Sequence, residues 1–131
     1  MTNPRDYPHF RADELQCKCR YPICPRHGMD DSFMEHLIEL REFLDFPFVI
    51  LSAYRCPNHN NDVSSTRFDG PHTTGKAVDI RILGTDARRL LDAAVRHGFE
   101  GIGIQQQGVR GRRFIHLDMM QRDAGPVIWS Y

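Results

Sequence analysis

His72, Asp79 and His116 are the residues of this chain best suited to do chemistry. Asp79 interrupts the apolar stretch Ala77-Val78-Asp79-Ile80. A carboxylate there must be exposed, hydrogen-bonded or bound to a cation, because an unpaired buried charge is very costly. His116 lies in a β-prone run with hydrophobic neighbours on both sides. His72 ends a polar segment and is followed by Thr73, Thr74 and Gly75, seven residues before Asp79. A turn at Gly75 into a strand can swing His72 back toward Asp79, and a hairpin partner strand can set His116 beside both. Two imidazoles and one carboxylate are a standard ligand set for catalytic zinc, with the fourth position left to water. A plainer reading also fits: a hydrogen-bonded core histidine and a strand-edge aspartate, since seven histidines make some pairing with an acid expected. The helical His-Glu-x-x-His zinc signature is absent.

The four cysteines offer a second chemistry with three readings. Cys17, Cys19 and Cys24, with His27 after them, have the spacing of a structural zinc knot. Alternatively Cys56, directly after Arg55, forms a disulfide with one of the three N-terminal cysteines, or all four are free thiols.

The elements that must position these residues follow from pattern. Residues 1–9 read as an N-terminal arm, and Phe10–Gln16 as one or two helical turns. Asp30 or Asp31 can cap a helix to about Asp45, with Phe33, Leu37, Leu40 and Leu44 on one face. Pro47 ends it, and Phe48–Ala53 is β-prone. Tyr54–Thr74 reads as a long polar loop, a kind of segment that often carries function. Lys76–Ile82 alternates, with Val78, Ile80 and Ile82 on one face and Ala77, Asp79 and Arg81 on the other. Thr85 can cap a second helix with Leu90, Leu91, Ala94 and Val95 inward and Gly98 as its stop. Gly101–Gln106 and Arg113–Met119 read as strands around a turn at Gly108–Gly111, and Phe114, His116 and Asp118 share a face. The predicted fold class is α+β: a small, mostly antiparallel sheet with two main helices.

Composition narrows the function classes. A chain of 131 residues corresponds to one domain, here residues 1–131. Lys+Arg 17 balances Asp+Glu 17, which argues against a nucleic-acid binder and against a polybasic membrane contact. No apolar run approaches the roughly 18–20 residues that span a bilayer. Met1–Tyr7 lacks the basic and apolar regions of a secretory signal, so the expectation is synthesis in a cytoplasm without one.

Three blocks carry a resemblance: Ser52-Ala-Tyr-Arg55, Pro71-His72-Thr-Thr-Gly75-Lys-Ala77-Val-Asp79-Ile80, and Phe114-Ile-His116-Leu-Asp118. Together they resemble the M15 family of zinc peptidases, whose members are D-Ala-D-Ala carboxypeptidases, dipeptidases and phage endolysins. Phe10-Arg-Ala-Asp-Glu14-Leu-Gln-Cys17 and Trp129 are similar to the start and end of the small branch common in phages and prophages. The resemblance implies a hedgehog/D-Ala-D-Ala peptidase-like fold and one catalytic Zn²⁺ on His72, Asp79 and His116. Arg55 matches the family arginine that holds a substrate carboxylate, a task suited to a guanidinium fork. The implied substrate is a peptidoglycan stem peptide containing D-amino acids. The implied place of action is the bacterial cell wall or a virion, reached with a holin or virion partner.

The chain departs from the family pattern twice. Gly70 stands where the family usually has Ser. The stretch Gly108–Ile115 before His116 holds no carboxylate, whereas many members carry their catalytic base there. Asp118 is the nearest acid, as general base or as a partner that orients His116, and Asp69 is a second candidate. The missing acid leaves an alternative function, a catalytically inactive zinc-stabilised binding or virion-structural module.

Overall fold

The computed structural model describes residues 4–131, so residues 1–3 of the predicted arm lie outside it. The elements run α1 (Ala12–Leu15), α2 (Asp31–Leu44), β1 (Val49–Ser52), α3 (Pro57–Val63), β2 (Ala77–Arg81), α4 (Gly84–Arg96), β3 (Gly101–Gln105), β4 (Phe114–Asp118) and β5 (Val127–Ser130). Short 3₁₀ turns cover Pro71–Thr74 and Arg110–Arg112. The architecture is α+β, with a five-stranded sheet in the order β1-β2-β4-β3-β5. Neighbours pair antiparallel except β3 and β5, which run parallel. The sheet is therefore mixed.

The helices close one face of the sheet. The Asp30 side chain accepts the Phe33 backbone N–H and starts α2, whose Phe33, Met34, Leu37, Leu40 and Leu44 are all buried. They pack with Ala87, Leu90, Ala93 and Ala94 of α4 onto Val78, Ile80, Ile102, Ile115 and Leu117 of the sheet. Alternation then turns Asp79, His116 and Asp118 to the opposite face.

Several expectations are corrected. Tyr54–Thr74 contains α3 and a 3₁₀ turn. The α3 segment, Pro-Asn-His-Asn-Asn-Asp-Val, has no apolar stripe; Pro57 at its first turn starts it, and buried Asn60 anchors it. Helix α4 begins one residue before Thr85, after Leu83 at its N-cap. Val95 is 52% exposed, because the apolar stripe of α4 runs through Ala87, Leu90 and Ala94. Strand β5 is an element the sequence pattern does not predict; Val127 and Ile128 face solvent, so its sequence carries no clean alternation.

Candidate metal centre

Cross-strand register assembles the site. Asp79 of β2 lies directly opposite His116 of β4, and His116 lies opposite Gly103 of β3. His72 arrives from the 3₁₀ turn before β2. Gly75 ends that turn in the left-handed region, at φ +75°, where a side chain would collide with the Gly28 carbonyl. The Gly75 carbonyl accepts the Asp30 N–H at 3.0 Å, and the His72 carbonyl accepts the Arg55 N–H at 3.2 Å. These bonds lock the turn to α2 and to the chain leaving β1.

The structure brings His72, Asp79 and His116 together, all buried. Nδ1–H of His72 donates to the Ala53 carbonyl at 2.7 Å. A carbonyl only accepts, so this bond fixes the proton on Nδ1 and leaves the Nε2 lone pair facing Asp79 Oδ1 at 3.3 Å. Nε2–H of His116 donates to Asp118 Oδ2 at 2.7 Å, and its Nδ1 faces the same Asp79 oxygen at 2.9 Å. Each neutral ring thus aims a lone pair at an anionic oxygen. That convergence is repulsive unless a cation sits among the three atoms or the rings become cationic. A tetrahedral zinc ion about 2.0–2.1 Å from its nitrogen and oxygen donors keeps them ~3.3 Å apart. The donor set therefore fits Zn²⁺ in both chemistry and spacing. Where the rings take up protons in place of a cation, their hydrogen bonds and charge outweigh the burial that alone would raise the Asp79 carboxyl pKa and hold it well below the usual carboxylate range.

Arg55 stands beside this set. Its Nη2 lies 3.5 Å from Asp79 Oδ2, its Nε donates to Ser52 Oγ at 3.0 Å, and its Nη1 donates to Asn60 Oδ1 at 3.2 Å. A guanidinium carries five N–H groups, so two remain for a ligand. Arg55, His72, Asp79, Phe114, His116 and Trp129 line a cavity of about 620 Å³.

Asp118 does not line that cavity. It is fully buried beside the far nitrogen of His116. Its Oδ1 accepts the Met120 N–H and Arg122 Nη1, both at 3.0 Å, and its Oδ2 accepts Arg122 Nη2 at 3.0 Å as well as His116. Burial opposes its ionisation, yet these donors lower its pKa to about 2. A general base needs a free oxygen facing the reactant, so this geometry does not suit the base role and does suit the orienting one. Asp69 is exposed and is absent from the cavity wall.

The cysteine knot is also corrected. Cys17, Cys19 and Cys24 gather with Cys56, not with His27. Arg26 adopts a left-handed conformation, φ 68°, and its carbonyl accepts the Cys17 N–H at 2.8 Å. The chain turns there and carries His27 to a separate cavity beside Tyr7, Leu15 and Met29.

Sequence reasoning missed several positioning residues. Asn60 is 1% exposed and donates to Thr66 Oγ1 and the Arg67 carbonyl while accepting from Arg55. It was hidden among neighbouring polar residues. Trp129 packs its ring 5.2 Å from that of His116. It can do so because Gly103 leaves the space; a Cβ there would sit 2.7 Å from the indole. Gly101 likewise makes room for the Asp118 carboxylate. Arg122, which clamps Asp118, carries no sequence signal because no regular element links the two.

Two comparisons with known proteins bear on the chain. A family model described as Peptidase M15 matches residues 8–118, a span that includes all three metal-ligand candidates. No curated protein matches it.

Proposed function

The chain belongs to the M15 peptidase family, whose members are zinc-dependent metallopeptidases, and from that premise we propose that it hydrolyses peptidoglycan stem peptides carrying D-amino acids. The observation that carries this reading is the convergence of His72, Asp79 and His116 on one point at the wall of a cavity that Arg55 also lines. His72 Nε2, Asp79 Oδ1 and His116 Nδ1 would hold the ion. When bound, zinc supplies polarisation of a scissile carbonyl and activation of a water for attack.

The chain's own residues do the rest. Ala53 and Asp118 fix the two rings in the tautomers that free their ligand nitrogens. Asp118 is a positioning residue in this reading. The two unused N–H groups of Arg55 bind a carboxylate of the stem, as a C-terminal D-alanine or a diaminopimelate offers. Phe114, Trp129 and Tyr131 form an aromatic wall against the substrate and limit water access. By analogy with the phage-type branch, the protein is of phage or prophage origin. It acts as a carboxypeptidase or endopeptidase at the cell wall or in a virion, with a holin or virion partner for delivery.

One observation favours a second reading. Asp79 is the one carboxylate among the described residues lining the cavity, and it belongs to the ligand set. A chain that binds stems without cutting them, a zinc-stabilised binding or virion-structural module, would need no further acid. Incubating purified muropeptides with the zinc-loaded protein, followed by mass analysis, separates the two. Cleavage at a D-amino acid supports the peptidase. Tight muropeptide binding without products establishes the module. For the arginine, Arg55→Ala is expected to keep its zinc and to lose substrate use chiefly through KM; normal cleavage by this variant removes the carboxylate-clamp role.

A further inference from the structure

The four cysteines form a second convergent set that the peptidase reading does not use. Cys17 and Cys19 follow α1, Cys24 lies in an irregular loop, and Cys56 immediately precedes α3. Their sulfurs all lie within 4.8 Å of one another, and those of Cys19 and Cys56 are 3.6 Å apart. A tetrahedral zinc ion about 2.3 Å from four thiolates sets neighbouring sulfurs ~3.8 Å apart, whereas a disulfide requires about 2.05 Å. All four are free. A disulfide pair would also draw two sulfurs together and leave the other two; here all four stay mutually close.

Donors surround the sulfurs. The Cys56 N–H donates to Cys17 Sγ at 3.3 Å, and the Arg26 N–H donates to Cys24 Sγ at 3.3 Å. The Arg26 guanidinium reaches Cys19 Sγ at 3.5 Å and also the Cys19 carbonyl. Such hydrogen bonds offset the negative charge that metal-bound thiolates carry.

The segment also lacks other support. No helix or strand occupies residues 16–30. Its apolar packing is mostly a small cluster of the cysteines with Tyr21, Met29 and Tyr54; of these segment residues Met29 also reaches the main core, and Ile23 is 84% exposed. A segment with so little burial does not offset the entropy of ordering its backbone, whereas metal binding contributes directly to folding.

We propose that Cys17, Cys19, Cys24 and Cys56 hold a structural zinc ion that pins the 17–28 segment to the start of α3 and thereby fixes Arg55, the neighbour of Cys56. The four thiols give up their protons to solvent on binding, and the closed tetrathiolate leaves no open position for catalysis. The ion differs from the one on His72, Asp79 and His116 in ligands and in role.

The test is cobalt substitution of the wild-type protein, paired with zinc analysis of Asp79→Ala, both under reductant. Intense sulfur-to-cobalt charge-transfer bands are expected in the wild type. Asp79→Ala should retain about one equivalent of zinc, released as a mercurial reagent titrates four thiols per ion. Cys24→Ser/Cys56→Ser should abolish the bands. A cobalt spectrum without sulfur bands, or a zinc-free Asp79→Ala that remains folded, overturns the proposal. Should the double variant fail to fold, the wild-type spectrum decides alone. Inactivity on muropeptides touches only the peptidase reading, because none of these readouts requires turnover.

Discussion

Replacing Asp118 by Asn distinguishes a residue that orients His116 from one that accepts a proton. The carboxylate makes four short contacts, two at each oxygen. An amide keeps one oxygen and turns the other position into a donor. That donor then faces either the Met120 N–H and Arg122 Nη1, or His116 Nε2 and Arg122 Nη2. Either choice leaves two donors unsatisfied at a fully buried site, each costing about 1–3 kcal/mol, with Arg122 partly relieved by solvent. We expect a net destabilisation of about 2–4 kcal/mol, or a fall in Tm of roughly 10 °C at this chain length. Loss of the carboxylate behind a ligand histidine should weaken zinc binding about 10–100-fold. Zinc affinity is measured by competition with a chromogenic chelator, and the rate on a muropeptide is then followed to zinc saturation. The orienting role predicts recovery of most of the wild-type rate once zinc saturates. Unchanged zinc affinity, with a rate that stays about 10²–10⁴-fold low at saturating zinc, is the behaviour of a lost general base and would refute this reasoning.

Three further perturbations test the scaffold. Gly75→Ala forces a side chain into the left-handed region and against the Gly28 carbonyl; circular dichroism should report lower stability, and zinc retention at the His72 site should fall. Gly103→Ala sets a Cβ 2.7 Å from the indole of Trp129, the sole tryptophan. Overpacking of this kind costs about 1–3 kcal/mol, and the tryptophan emission should shift; an unaltered spectrum and Tm would show that Trp129 does not pack on His116 as described. Burial and a hydrogen bond to Asp31 raise the Tyr7 pKa to about 12. A raised phenol pKa stabilises the fold below the unfolded value near 10 and loses that contribution as pH climbs through 12. Tyr7→Phe should therefore flatten the alkaline decline measured by urea unfolding, and an identical decline in both proteins excludes the effect.

The clustering of His72, Asp79 and His116 was legible because Asp79 and His116 each break an apolar strand pattern, and such breaks in a β-run demand a partner. Helix α2 was legible from its stripe of Phe33, Leu37, Leu40 and Leu44 and its capping Asp30. What stayed hidden shares one physical cause: it depends on tertiary register. Helix α3 has no apolar face, since it is held by Asn60 and the cysteine cluster. Trp129 meets the site because β5 returns parallel to β3, and Arg122 because the irregular stretch after β4 turns back onto Asp118. The exchange of His27 for Cys56 turned on one left-handed residue, Arg26, in a loop without periodicity.

The register also explains how a small sheet supports both a core and a charged site. One transverse row crosses all five strands: Ser52, Asp79, His116, Gly103 and Trp129. Each member solves a problem set by its neighbour. Ser52 accepts from Arg55, which pairs with Asp79. Asp79 faces His116. Gly103 contributes no side chain, so the indole of Trp129 can lie against the imidazole. In the next row Gly101 lies opposite Asp118 and leaves room for its carboxylate. On the same strands, the alternate residues Val78, Ile80, Ile115, Leu117 and Ile102 pack beneath the helices. A one-residue slip between β2 and β4 would exchange the two faces, burying Asp79 under α2 and α4 and exposing Ile80. The core and the ligand set therefore select the same register, and the hydrophobic face supplies the rigidity that holds the His–Asp–His triangle at its spacing before any ion arrives.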